Sequence, residues 1–313
     1  MVQAYPQPPP LTRSRRPWLR IFLVGLALWL ATVVVTFLTG NPALVPTLVL
    51  LGSFLVPVTF VVWAFGRRET GELTPGLILS TFLAGGVIGV LAASLLESYL
   101  LRPSWWLFLG VGLIEEAVKL GVLAFLTRHM HVKATRDGII LGASVGFGFA
   151  ALETAGYAFT ALFTAHGLSL TQVVETELLR GVVTPFGHGL WTAILGGVLF
   201  SSSTREHFVI TGRLVLAYLG VSLLHALWDA MHVIALLLTL LLTGGTTTPH
   251  GQLVRPTAGQ VALFAVLDLG GLAVVAVVGL LWLWALVRSA RRAPHVPQVP
   301  PYGFRVPIRP PGS

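Results

Sequence analysis

Seven ionisable residues stand inside apolar stretches. Glu115, Glu116 and Lys119 share one stretch, Glu153 lies in the next, His188 in a third, and His225 with Asp229 in a fourth. A charge at the centre of a membrane span costs about 2.5–3.5 kcal/mol on insertion scales, so such residues face a protein interior and usually carry function. Glu115 reaches Lys119 at i+4 on a helix, and Glu116 reaches it at i+3. One buried ion pair with Lys119 accounts for one glutamate and leaves the other unpaired, which is costly in a low dielectric. The second carboxylate is therefore a candidate general base. Phe149 and Glu153 share a helix face at i, i+4, among Gly142, Ala143, Gly146, Gly148, Ala150 and Ala151. Small residues permit close helix packing but do not account for the glutamate. His225 and Asp229 lie one turn apart, the spacing at which a carboxylate orients an imidazole. His188 follows Phe186-Gly187, and His232 is a weaker candidate on the His225 face.

Other chemistries fall away. The chain has no cysteine, hence no disulfide, thiolate metal site or cysteine nucleophile. Gly142-Ala-Ser144-Val-Gly146 matches G-x-S-x-G literally, but that motif needs a strand–turn–helix elbow and here falls inside a predicted membrane helix. No H-E-x-x-H is present, which excludes zincin-type proteases.

The elements that carry these residues follow from composition. Of 313 residues, 55% are apolar and 10% charged, with a mean hydropathy of +0.83. Soluble domains carry about 25% charged residues, so there is too little charge to cover a water-soluble particle. Disordered chains are apolar-poor, so the core is not disordered either. The expected class is an all-α, polytopic transmembrane helix bundle in a cell membrane. Eight segments are drawn: Trp18–Thr39, Ala43–Phe65, Pro75–Leu101, Trp105–Thr127, Gly138–Phe163, Val182–Ser203, Arg213–Leu242 and Gly259–Val287. Each is long enough for a hydrocarbon core of about 30 Å. The seventh is overlong and is expected to tilt or break. The first is read as an anchor, since its apolar run exceeds that of a signal peptide.

The net charge of +8 is assigned to cytoplasmic loops rather than to nucleic acid. Sixteen basic residues fall on the side of the termini and only Arg102, Arg180 and Arg255 on the other, which predicts cytoplasmic termini. The chain divides into a Pro/Arg-rich tail (1–17), three helices (18–104), a four-helix catalytic core (105–242), an outer loop with the last helix (243–288) and a second Pro/Arg-rich tail (289–313). By helical rise, Glu116 lies about 16 Å from the outer end of its segment, Glu153 about 15 Å and His188 about 9 Å from theirs, with His225 about 18 Å from an inner end. Four helices thus bring ionisable groups to overlapping depths.

Taken in order, Glu115-Glu116-x-x-Lys119, Phe149-x-x-x-Glu153, His188 and His225-x-x-x-Asp229 on consecutive helices resemble the PrsW family of intramembrane metalloproteases, relatives of the glutamate-dependent CAAX prenyl proteases. The resemblance spans roughly Leu107–His232. It implies peptide-bond hydrolysis in or beside the membrane, an essential glutamate pair, and membrane-anchored substrates of the anti-sigma-factor kind. Glu153 stands where the prenyl-protease branch has His, and Asp229 where it favours Asn, so prenylated substrates are not expected. Ionisable residues in spans also build proton relays, and a fold can outlive its activity. An ion-coupled transporter and a non-catalytic scaffold or immunity-type protein are therefore the alternatives. No inverted repeat supports transport.

Glu153, His188 and His225 could form a His₂Glu zinc set with an open water position, Asp229 orienting His225 and Glu115 or Glu116 deprotonating the water. The rival is metal-free, with a glutamate activating water and the histidines stabilising the oxyanion. Expected partners are a membrane-anchored protein and the bilayer.

The charge asymmetry generates the first prediction. A reporter fused after Ser313 is expected to be active in the cytoplasm, and activity only on the external side would overturn the topology.

Overall fold

The computed structural model describes residues 16–67, 72–164, 167–203, 207–248 and 253–292. The proline-rich tails lie outside the described residues, as do Arg13, Arg15, Arg68, Arg205, Arg305 and Arg309 of the charge tally. The described chain is helical throughout: α1 (Pro17–Thr39), α2 (Val45–Phe65), α3 (Pro75–Leu100), α4 (Leu107–Thr127), α5 (Thr135–Ala161), α6 (Leu170–Val183), α7 (His188–Ser201), α8 (Gly212–Thr243) and α9 (Ala258–Arg292). A two-residue hairpin, β1 (Phe163–Thr164) with β2 (Gly167–Leu168), joins α5 to α6. Seven helical stretches among the described residues are long and apolar enough to cross a membrane. The remaining long helix, α4, carries Glu115, Glu116 and Lys119, and its 21 residues reach about 31 Å. The all-α, multi-pass architecture expected from composition is the one observed. The overlong seventh segment is one unbroken 32-residue helix, α8.

Helix ends follow local rules. Pro17 and Pro75 open α1 and α3 at first-turn positions, where a missing N–H costs nothing. Thr74, Ser169 and Thr211 cap α3, α6 and α8 by accepting from backbone N–H groups three residues on. Gly40 ends α1 with a φ of +62°, a left-handed conformation that glycine adopts without a Cβ penalty.

Helix α5 is the axis of the bundle and is buried from Gly138 through Ala151 almost without interruption, among α2, α3 and α7. Its glycines permit this. A Cβ on Gly138 would meet the carbonyl of Gly196, one on Gly142 the carbonyl of Thr192, and one on Gly146 the carbonyl of His188. Spaced by four, these residues form one stripe against α7, running antiparallel to it. On the opposite side Gly148 meets the carbonyl of Phe82, and Gly85 of α3 meets the backbone of Val145. Close small-residue packing, inferred from sequence, is what the helices do.

The sixth crossing departs from expectation. The predicted segment began at Val182, but the helical path starts at Leu170 and runs through α6, a 3₁₀ turn (Thr184–Phe186) and α7. Both halves lie antiparallel along α5: Ser169 bonds Leu162, Arg180 meets Glu153, and His188 lies on Gly146. The crossing is thus a broken helix, interrupted at Pro185 and Gly187. Hydropathy misses α6 because Gln172, Glu175, Glu177 and Arg180 make it read as a loop. Two of those groups find partners inside the protein: Arg180 pairs with Glu153 at 2.6 Å, and Glu177 accepts from the Trp29 indole at 2.8 Å. Arg180 is therefore not a loop charge.

Gly142→Val should wedge α7 from α5 and lower stability by about 1–3 kcal/mol, the usual cost of overpacking. Thermal unfolding in detergent reads the loss. Gly121→Ala, where an added methyl meets nothing within 4 Å, should show none.

Candidate active site

Helix α4 places three charges on one face. Lys119 Nζ lies 3.2 Å from Glu115 Oε2 and 2.6 Å from Glu116 Oε1. Both glutamates reach Lys119, as their i+4 and i+3 spacings allow, so neither is the unpaired carboxylate expected from a single buried ion pair. Gly112, one turn earlier, lets α8 approach: a Cβ there would meet the Ser222 carbonyl at 2.6 Å and His225 Cβ at 3.4 Å. The Tyr218 hydroxyl donates to the Leu113 carbonyl at 2.7 Å and ties the same two helices. This contact carries His225 onto α4, with Nδ1 at 3.0 Å from Glu116 Oε1.

Glu116 is held by three donors. Lys119 and His225 contact Oε1, and the Thr192 hydroxyl donates to Oε2 at 3.5 Å. A carboxylate accepts only, so His225 Nδ1 carries the hydrogen of this bond, and in a neutral ring Nε2 presents a lone pair. That Nε2 is buried and has no hydrogen-bond partner among the described residues. Asp229 Oδ2 stands 3.3 Å away and Glu115 Oε2 3.6 Å away, but neither is aligned as a hydrogen bond. The carboxylate that orients His225 through Nδ1 is thus Glu116; Asp229 sits on the other nitrogen, facing the site.

His188 opens α7. Its Nδ1 is 2.9 Å from Lys119 Nζ and 3.7 Å from Glu115 Oε2, and its Nε2 is 2.9 Å from Glu153 Oε2. The ring is boxed by Phe149 (5.2 Å between centroids), Trp191 (5.4 Å) and His225 (4.9 Å). Trp191 in turn stacks on His225 at 4.6 Å. The Phe149-x-x-x-Glu153 spacing is explained here: one residue supports the His188 ring while the other bonds it. Phe149 also lies 4.4 Å beneath Lys119 Nζ, a cation–π contact.

All seven residues singled out from the sequence converge. Besides the exchange of Asp229 for Glu116 on His225 Nδ1, the grouping differs from the expected one in the candidate metal set. Ligand atoms of Glu115, His188 and His225 lie within 4.8 Å of one another and form a set that could hold a metal ion. Glu153 stands outside that set, because its Oε2 is engaged by Arg180 Nη2 at 2.6 Å and by His188. A metal fits the donors present: two imidazoles, one carboxylate and an unpartnered buried nitrogen. Ser144, the serine of the G-x-S-x-G match, donates to the Ile140 carbonyl within α5 at 2.9 Å and is not a nucleophile. His232 lies apart, 3.6 Å from Asp268 on α9.

Burial grades the site. Side chains of Lys119, Glu116 and His225 are at most 1% exposed, whereas Asp229 (30%), Arg180 (24%) and Glu153 (22%) form the rim. Glu115 and His188, at 8% and 12%, lie between floor and rim. Sequence reasoning missed Arg180, Thr192 and Trp191. The signal for Arg180 was available, because a mid-membrane glutamate on α5 needs a counter-charge. Thr192 and Trp191 follow His188 by one turn on α7, but only its contact with α4 and α8 gives them a role.

Comparison with known proteins accords with this geometry. Residues 73–255, more than half of the chain, match the PrsW family intramembrane metalloprotease model. A Protease PrsW of Halalkalibacterium halodurans is 30% identical over 171 residues, covering 53% of this chain and 74% of that protein. The Geobacillus kaustophilus protein of the same name is 34% identical over 157 residues, 47% of this chain and 64% of its own. That of Bacillus subtilis is 32% identical over 123 residues, 39% and 51%. No solved structure matches the chain. The matched span runs from the start of α3 past the end of α8 and holds every residue of the cluster, and on that evidence this chain belongs to the PrsW family of intramembrane metalloproteases.

Proposed function

We propose that the cluster hydrolyses a peptide bond of a membrane-anchored protein, with Glu115 as the carboxylate that takes the proton from the attacking water. One observation carries this reading. Glu115 Oε2 and Asp229 Oδ2 converge on His225 Nε2, at 3.6 Å and 3.3 Å, and with a neutral imidazole all three atoms bear lone pairs. Such a convergence calls for a hydrogen donor or a cation between them, and water is the donor that hydrolysis requires. Glu116 is unsuited to be the base, because its oxygens already accept from Lys119, His225 and Thr192. It holds His225 instead. Lys119, 3.2 Å from Glu115, supplies positive charge beside the position where the oxyanion would develop.

Charge favours a metal as well. Four carboxylates (Glu115, Glu116, Glu153 and Asp229) face two cationic side chains (Lys119 and Arg180), so with neutral histidines two negative charges stay uncompensated. One divalent cation held by Glu115, His188 and His225 would close that balance, and zinc suits the N/O donors. Such an ion would polarise the scissile carbonyl and acidify a bound water. Lys119 would then exchange its contacts with Glu115 and His188 for the single strong one with Glu116. Asp229 at the exposed rim takes the part of proton acceptor when Glu115 is a ligand. The substrate class to test first is a single-span anti-sigma-factor-like protein, the class the family resemblance implies.

In proteoliposomes with a tagged substrate of that class, Glu115→Gln should lower the cleavage rate by about 10²–10⁴-fold, the contribution of a general base. Its melting temperature should stay near that of the wild type. Glu116→Gln should also be inactive, but less stable by about 3–5 kcal/mol, because it breaks a buried ion pair. Full activity in Glu115→Gln would rule out its role as base.

For the metal, protein purified without a polyhistidine tag should hold about one zinc per chain, and His225→Ala should lose it. An active, chelator-resistant wild type with little zinc would reject the ligand set and leave glutamate–histidine hydrolysis.

A further inference from the structure

We infer that Arg180, on α6, is a positioning residue of the hydrolytic site: it locks Glu153, and through Glu153 sets the tautomer and orientation of His188. The inference rests on the hydrolase reading for its catalytic meaning, but its geometry does not depend on it.

Arg180 is held on three counts by one face of α5. Its Nη2 donates to Glu153 Oε2 at 2.6 Å, its Nε donates to the Thr154 hydroxyl at 2.9 Å, and its guanidinium lies 4.3 Å over the Tyr157 ring. A guanidinium offers donors in a fixed planar fork and stacks on aromatic faces; a lysine ammonium does neither in the same way. The oxygen that Arg180 grips, Oε2, is the one bonded to His188 Nε2 at 2.9 Å. On the far side of the ring, Lys119 Nζ is 2.9 Å from Nδ1. An ammonium donates only, so Nδ1 accepts, and Nε2 carries the hydrogen that Glu153 receives. The chain Arg180–Glu153–His188 thus turns the Nδ1 lone pair toward Lys119, Glu115 and His225, where the chemistry lies.

Glu153 has no comparable second anchor. With the arginine removed, a carboxylate at the 22% exposed rim would be held only by the imidazole it is meant to orient. The helix that bears Arg180 is itself pinned. Three residues earlier, Glu177 is buried, accepts from the Trp29 indole at 2.8 Å, and is seated against Gly52 of α2. One face of α6 therefore holds α1 and α2 while its end reaches the active site.

The test combines a spectroscopic readout with a kinetic one. Protein labelled with ¹⁵N-histidine in lipid should show His188, assigned by its loss in His188→Gln, as a single tautomer with Nε2 protonated. In Arg180→Gln, Arg180→Lys and Glu153→Gln that signal should become a mixture. An unchanged His188 signal in the Arg180 variants would overturn the inference. In the cleavage assay, Arg180→Ala should lower kcat about 10–100-fold, the usual cost of removing a residue that orients a ligand or catalytic histidine, with KM little changed. Methylguanidinium should restore the rate saturably in Arg180→Ala and not in Glu153→Gln. A loss of kcat without that rescue, beside an unchanged His188 signal, would make Arg180 a packing residue of α6. If Arg180→Ala does not accumulate, Arg180→Lys carries the same two readouts. A wild-type protein that cleaves nothing, while its His188 signal responds to Arg180→Gln, would reject the hydrolase reading and keep the Arg180–Glu153–His188 relay.

Discussion

Lys119 sits at the floor of the site, fully buried, 2.6 Å from Glu116 and 3.2 Å from Glu115. An unpaired charge there would cost several kcal/mol, and each removed partner leaves another charge exposed to the low dielectric. The surrounding helices are arranged around that constraint. Helix α8 comes close enough at Gly112 to bring His225 to Glu116, and α7 comes close enough at Gly146 to bring His188 to Lys119. Each added group settles one charge and introduces another polar atom. The network grows outward until it reaches Asp229 and Arg180 at the rim.

The broken sixth crossing gives this network its outer half. On a continuous helix Arg180 and His188, eight residues apart, would lie about 80° from each other. The 3₁₀ turn at Thr184–Phe186 and Gly187, with φ −103° and ψ −125°, reset the phase between α6 and α7. Irregular backbone is tolerated at membrane depth only where protein or water surrounds it, and here it packs against α2, α5 and α9. The break also makes His188 the first residue of a helix.

Floor and rim divide the labour. Glu116, Lys119 and His225 are withdrawn from solvent and bonded to one another, which suits holding rather than reacting. Glu115 and His188 are partly accessible and keep oxygen and nitrogen atoms turned inward. The same division separates the two glutamates, which are adjacent in sequence and chemically identical until the fold assigns one to α8 and the other to the open side.

The amino-acid sequence by itself determined the class of the molecule and singled out the residues that converge in the candidate site. Too few charges for a soluble surface dictated a membrane bundle, and the cost of mid-membrane charge marked Glu115, Glu116, Lys119, Glu153, His188, His225 and Asp229 without any structure. Helical periodicity also anticipated the Lys119 pairings and the close approach of α5 to its neighbours, because those depend on spacing within one helix. Partnerships across helices were decided only by tertiary structure. Sequence spacing could not tell that Glu116 rather than Asp229 bonds His225 Nδ1, that Glu115 rather than Glu153 joins the two histidines, or that Arg180 belongs to the site. Helix α6 was hidden because a hydropathy window counts its charges as solvated, whereas Glu153 and Trp29, distant in sequence, neutralise or bond two of them. Periodicity fixes which residues share a face; the rotation and depth of one helix against another depend on glycine contacts and on a backbone break whose consequences exist only once the chain has folded.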